Sequence, residues 1–197
     1  MPLDLFLALV VFAAVMAFTP GPNNIMLAAS GVNFGFARTI QHMLGVTVGF
    51  AMLLIGCAAG LGLIFAAIPA LHLVLKVAGA LYLLWLAYRV ATARPANDAP
   101  ATAQPLTFWE AALFQWVNPK GLVAALSAIS IYVRPGHELA DFVMMLGVFT
   151  VCTAGAVITW AAFGVALRGL LRNPLHARIF NGSMAALLVA SVVPMVL

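Results

Sequence analysis

The chain has 197 residues, of which 65% are hydrophobic and 7% charged, and it carries a formal net charge of +4. Soluble domains hold about 25% charged residues, so this composition excludes a soluble globular protein and points to an all-α integral membrane protein. No Lys/Arg cluster is present to track phosphates, which excludes nucleic acid as a partner; the modest positive charge reads as a bias between the two sides of a membrane.

Leu3 begins a hydrophobic segment that runs to about Val32 and is interrupted by Thr19-Pro20-Gly21-Pro22-Asn23-Asn24. Two prolines and a glycine cannot sit inside a regular helix. Each proline lacks an N–H, clashes with the preceding turn and pushes its predecessor out of the α region. The spacing predicts a broken span, with one half-helix over Leu3–Phe18 and a second starting near Pro22. Proline suits the first helical position, and the N–H groups of Asn23, Asn24 and Ile25 would then point into the gap. That is a partly positive helix end suited to an anionic group. Asp4 stands where a secretion signal carries basic residues, and no A-x-A-like site follows, so the segment reads as part of the protein.

A polar stretch, Asn33–His42, carries Arg38 and leads into segment two, from about Arg38 to Ala67. Its Gly45, Gly49, Gly56 and Gly60 form two GxxxG spacings, read as a face for close helix packing. Pro69 marks a turn, and segment three covers about Ala70–Val90. Residues 93–107, with three prolines and Asn97-Asp98, form the one clear linker. Segment four, Phe108–Val133, is interrupted by Asn118-Pro119. Segment five covers about Leu139–Leu167, a basic stretch Arg168–Arg178 follows, and segment six runs from about Ile179 to Leu197. Cys57 and Cys152 each stand alone in an apolar run and read as small core residues, with neither a CxxC nor a disulfide framework.

The six segments form two groups of three that match in plan. Segments one and four are both broken near their centres, at Pro22 and Pro119, and Arg38 and Arg134 follow these at similar distances. Three spans per half make the halves face opposite ways, which is the inverted-repeat plan of secondary transporters. The expected organisation is a single transmembrane domain over 1–197, with repeat one at 1–92, a linker at 93–107 and repeat two at 108–197. Arg38, Arg89, Arg94, Arg168, Arg172 and Arg178 fall on one side and Arg134 alone on the other. The loops after segments one, three and five are therefore expected in the cytoplasm and both termini outside. A re-entrant first segment is the alternative and puts the N-terminus inside.

Asn118 suits a helix N-cap, Pro119 the first helical position, and Lys120 falls in the first turn near mid-span, where charge is expensive. The acids Asp4, Asp98, Glu110, Glu138 and Asp141 all lie near segment ends. Two readings remain for Lys120: it binds a substrate carboxylate, or it is neutral through burial and exchanges protons. A lysine satisfied by backbone carbonyls is the bland alternative. The missing mid-membrane acid favours a carboxylate-bearing solute with a neutral side chain. Asn23, Asn24 and Asn118 can hydrogen-bond both its ammonium and its carboxylate. Thr19 and Gln115 read first as local packing or capping and second as substrate contacts. The candidate binding set is Thr19, Pro20, Gly21, Pro22, Asn23, Asn24, Gln115, Asn118, Pro119 and Lys120. His42 reads as an interfacial histidine, with proton relay as the alternative. His137-Glu138 is not part of an HExxH, and no GxSxG or phosphate loop is present. No metal, cofactor or enzymatic activity is expected.

Three stretches carry a resemblance: Thr19-Pro20-Gly21-Pro22-Asn23-Asn24, Gly79-Ala80-Leu81-Tyr82-Leu83-Leu84, and Phe114-Gln115-Trp116-Val117-Asn118-Pro119-Lys120. Together and in this order they resemble the lysine/homoserine exporter (LysE/RhtB) family, and the first half is particularly similar to the cysteine/O-acetylserine exporter branch. The resemblance covers essentially the whole chain. It implies a bacterial inner-membrane exporter of amino acids or their derivatives, driven by proton exchange. The partners it implies are a small amino-acid substrate, protons and the lipid bilayer, with a homo-oligomer left open. The chain departs from its relatives at Gly121, where alanine often follows the lysine, and at Glu110, where the family has no fixed acid. An intramembrane enzyme and a non-transporting assembly protein are the rival readings. The first needs a nucleophile–base pair or metal cluster, and the second has no use for two matched helix breaks.

Overall fold

The computed structural model describes residues 1–61, 69–93, 104–169, 171 and 173–193. Every described element is helical: α1 (Leu3–Phe18), α2 (Pro22–Phe34), α3 (Phe36–Gly56) ending in a wide turn at Cys57–Leu61, α4 (Pro69–Ala91), α5 (Phe108–Phe114), α6 (Pro119–Tyr132), α7 (Glu138–Leu167) and α8 (Pro174–Ala190). Most of the linker and the end of segment two, together with Arg94, Asp98 and Arg172, lie outside the described residues. Two helices are long and apolar enough to cross a membrane alone, 36–60 and 138–167. The α1–α2 pair, bent by 53°, qualifies as a third, broken span. Three of the six expected spans are thus met by length and composition among the described residues; the broken fourth segment is divided into two short helices, the sixth is a shorter apolar helix, and α4 does not qualify.

Local chemistry explains the boundaries. The predicted polar stretch between segments one and two is not a loop: α3 starts at Phe36, and Gly35 alone turns the chain, with φ of 80°. That left-handed geometry is open to glycine without a Cβ clash. α5 starts with a capping box in which the Thr107 N–H donates to Glu110 Oε2 at 2.7 Å and the Glu110 N–H donates to Thr107 Oγ1 at 3.3 Å. Glu110, idle in the sequence reading, therefore has a structural task. α8 begins at Pro174 rather than Ile179, because Asn173 Oδ1 accepts the Leu175 N–H at 2.9 Å and proline occupies the first helical position.

Two apolar clusters stack along the molecule. One gathers Ile25, Met26, Met43, Val46, Phe114 and Leu188 from α2, α3, α5 and α8, with Leu83 and Leu86 of α4. The other gathers Leu9, Ala13, Phe50, Leu53, Ala125 and Phe149 from α1, α3, α6 and α7. α3 and α7 pass through both and act as struts. α1–α2 traverses the clusters in one order and α5–α6 in the other, so both breaks fall where the clusters meet. Large apolar side chains such as Leu3, Val11 and Val151 cover the outer surface, as lipid contact requires.

At the end opposite Arg89, the fully buried Asp141 accepts Arg134 Nε at 2.7 Å and Nη2 at 3.0 Å, and the N-terminal ammonium lies 3.6 Å away. This network fixes the α6–α7 turn against the start of α1.

Glycines set the closest helix contacts. A Cβ on Gly31 would meet Ala161 O, and one on Gly164 would meet Ala28 O, so α2 and α7 touch backbone to backbone. On Gly45 and Gly49 it would meet the α5 backbone at Phe108 and Ala112. Gly60 departs from the packing expectation: nothing lies within 4 Å, and its φ of 105° is the reason for glycine there. Gly31→Val should therefore destabilise the protein by at least about 1–3 kcal/mol. Gly147→Ala, in open space, should not. Thermal unfolding of the two purified variants in detergent checks the contrast.

Candidate functional site

At the first break the carbonyls that end α1 are met by the Thr19 cap, by Asn24 and by side chains of α6 and α7. Val15 O accepts the Thr19 N–H at 3.1 Å and the Thr19 hydroxyl at 2.7 Å. Asn24 Nδ2 donates to Ala17 O at 2.8 Å and to Thr19 O at 2.9 Å. Trp160 Nε1, from α7, donates to Phe18 O at 3.1 Å. Lys120 Nζ, from α6, donates to Thr19 O at 2.6 Å, Thr19 Oγ1 at 2.8 Å and Pro20 O at 3.5 Å. The partners of Lys120 are thus oxygens at the partly negative end of α1, which favours a cation. Of the readings offered by the sequence, this geometry is the carbonyl-satisfied one. Gly21 is small for the same reason: a Cβ there would sit 2.8 Å from Lys120 Cδ.

The second break is closed by its own turn. The N–H groups of Gln115, Trp116 and Val117 donate to Ala112, Leu113 and Phe114 carbonyls at 3.3, 3.1 and 3.1 Å. Gln115 Nε2 also donates to Ala111 O at 2.8 Å. Its amide then pairs reciprocally with Asn23 across the two breaks: Asn23 Nδ2 donates to Gln115 Oε1 at 2.8 Å, and Gln115 Nε2 donates to Asn23 Oδ1 at 3.1 Å. Gln115 is fully buried; beside its local bond to Ala111 it links the two broken segments. Asn24 is turned back onto α1 carbonyls, and the Ile25 N–H is taken by Gly21 O at 3.0 Å. Of the three N–H groups expected in the gap, Ile25 is therefore engaged.

Between the breaks lies a cavity of about 60 Å³, lined by Gly21, Asn23, Gln115, Asn118 and Lys120 and walled by Phe50 and Phe149. Asn118 holds the N-cap position of α6 but makes no side-chain capping bond. Its Oδ1 is buried with no hydrogen-bond partner among the described residues. Pro22 and Asn24 also line the cavity, whereas Thr19, Pro20 and Pro119 are held back as carbonyl, hydroxyl and helix-start positions. Thr153 and Ala156 of α7 line it too; within a continuous apolar run they carried no sequence signal. His42 is elsewhere. It is fully buried within the helix bundle, with Nδ1 3.1 Å from Ser30 Oγ.

Broken helices that meet end to end around a small polar cavity inside an apolar bundle define a class, the helical membrane transporters. The chain belongs to the LysE type translocator family, whose profile matches residues 14–195. It is 33% identical over 181 residues to proteins described as cysteine/O-acetylserine efflux proteins from Escherichia coli (strain K12) and Shigella flexneri, with 90% of each chain covered. The corresponding protein of Salmonella typhimurium (strain LT2) is equally similar. No solved structure matches the chain.

Gln115→Leu leaves the Asn23 amide unpaired next to an apolar wall, at a cost of roughly 1–3 kcal/mol. The double variant Asn23→Leu/Gln115→Leu should lose less than the sum of the two single variants. A double-mutant cycle on thermal unfolding in detergent reads this coupling directly.

Proposed function

We propose that this protein exports amino acids or their derivatives from the bacterial cytoplasm across the inner membrane, in exchange for protons. Solutes with neutral side chains are favoured, of the cysteine/O-acetylserine or threonine/homoserine kind. The observation that carries the reading is the meeting of the two breaks: Lys120 on Thr19 and Gln115 on Asn23, around one polar cavity. Among the described residues no Asp or Glu lines that cavity, so a cationic side chain would find no counter-charge there.

In the mechanism we infer, six spans form two inverted repeats, 1–92 and 108–197, with the loops after spans one, three and five in the cytoplasm. The substrate carboxylate replaces the Thr19 oxygens as partner of Lys120, because an ionised acceptor bonds an ammonium more strongly than a carbonyl does. Asn23, Asn118 and Gln115 bond the remaining polar atoms, and the unpartnered Asn118 Oδ1 accepts from the substrate ammonium. Release of Thr19 loosens the end of α1, and one repeat rocks against the other to open the site outward. Lys120 and His42 are the groups available to carry the exchanged proton. A non-transporting assembly protein would have no use for a cross-linked pair of breaks.

Cells overproducing the protein, loaded with dipeptides of cysteine, threonine, homoserine, leucine and lysine, should release a neutral amino acid into the medium. Lys120→Ala should lower that release at least about tenfold, a loss of the order of one charge-assisted bond, at equal membrane levels. Undiminished release from that variant would remove Lys120 from the site, and release of lysine would overturn the side-chain argument.

A further inference from the structure

A second cavity, of about 280 Å³, opens beside the Arg89 end of α4. It lies farther along α2 than the central one: Ser30 lines it, and Asn23 lines the other, about 10 Å apart at helical rise. Met26 lines the second cavity and Val46 the first, and both belong to one apolar cluster that separates them.

Size separates the two cavities. At roughly 12 Å³ per water-sized group, about 60 Å³ holds about five such groups and about 280 Å³ more than twenty. A small amino acid or its acetyl derivative has roughly seven to ten non-hydrogen atoms. In this conformation the second cavity accommodates such a solute and the central one does not.

Its polar walls are built for a zwitterion. Ser30, Asn33 and His42 are all at least nine-tenths buried, and His42 Nε2 has no hydrogen-bond partner among the described residues. With Nδ1 donating to Ser30, Nε2 accepts from an ammonium; with Ser30 donating, Nε2 donates to a carboxylate. Arg89 supplies the charge. Its guanidinium lies 4.9 Å over the Trp85 ring and donates from Nη2 to Gln104 O at 3.2 Å. Its ion pair with Glu110 is long, 3.8 Å, and more than a third exposed on both sides, so it is weak. Glu110 is also held by its own capping box. A planar fork with five donors, so lightly engaged, suits a bidentate carboxylate. Among the described residues no Asp or Glu lines the cavity, and Met26 and Leu86 offer an apolar wall to a neutral side chain.

We propose that this cavity is a second binding site, for the α-amino carboxylate group of the exported solute, occupied from the cytoplasmic side before the central site. Arg89 holds the carboxylate, and His42, Ser30 and Asn33 complete the contacts. The proposal rests on the export reading for its direction and for the solute class.

The test uses inverted membrane vesicles, whose outer surface is the cytoplasmic face, supplied with radiolabelled L-cysteine or O-acetyl-L-serine. Arg89→Gln should raise KM about tenfold or more with Vmax retained, since it removes a charge-assisted contact. Glu110→Gln, which can still close the capping box, should leave KM unchanged or lower it. An unchanged KM in Arg89→Gln, or an equal rise in both variants, would overturn the site and reduce the pair to a structural tie. In parallel, fluorescence of the purified protein is titrated with the same two amino acids, with Trp85→Phe as control. A saturable Trp85 response is expected in the wild type and in Lys120→Ala and should vanish in Arg89→Gln; no saturable response in the wild type would also overturn the site. Saturation without any transport by wild-type vesicles would instead remove the export reading and leave the binding site standing.

Discussion

Backbone groups at a helix break cannot be left bare in hydrocarbon, where each unsatisfied group costs several kcal/mol. This chain carries two such breaks at one level, and most of its architecture answers to them. The carbonyls ending α1 are met by Asn24 from the same segment, by Trp160 of α7 and by Lys120 of α6. The turn ending α5 is tied back to Asn23 through Gln115. The first break depends on donors from α6 and α7, and the Gln115–Asn23 pair ties the second break to it, so the two lie together. A polar cavity in an apolar bundle is the consequence of that pairing.

Lys120 stands at the balance point of this arrangement. It occupies the first turn of α6, whose dipole opposes a cation, and the last carbonyls of α1, whose dipole favours one. Each effect is worth about 0.3–1 kcal/mol near the surface and up to about 2 kcal/mol when partly buried. The two nearly cancel, so the hydrogen bonds to Thr19 decide where the ammonium rests. A cation held by neutral oxygens rather than by a carboxylate is available to an incoming anion. A buried ion pair with an Asp or Glu would have made the same lysine a structural post.

The struts α3 and α7 give the molecule continuity that the broken segments lack. They cross both apolar clusters, and backbone contacts at Gly31 and Gly164 bring α2 against α7 with no side chain between. Contacts this close leave no room for a side chain between the two helices. The two cavities lie along the same faces of α2 and α3, divided by Met26 and Val46. An apolar partition of flexible and branched side chains is a thin barrier next to the polar walls on either side of it.

Much of this was legible in the order of residues. The membrane class, both breaks, the glycine face of α3 at Gly45 and Gly49 and the family resemblance all follow from local covalent facts. Proline has no N–H and glycine no Cβ, wherever they fold. What the residues could not declare were partners far apart in sequence. Asn23 and Gln115 are 92 positions apart, and Lys120 and Thr19 are 101. A backbone carbonyl leaves no mark in the sequence, so the acceptors of Lys120 were invisible. That His42 is fully buried beside Ser30 of α2 could not be read from its place near a helix end. The turn at Gly35 was hidden because a positive φ is a choice made by the surrounding packing. The sequence by itself thus determined the two proline breaks and that the chain belongs in lipid, since those depend on the chemistry of adjacent residues. Only the tertiary structure decided which donor meets which acceptor, and so where the cavities lie, because that depends on helices docking across the whole chain.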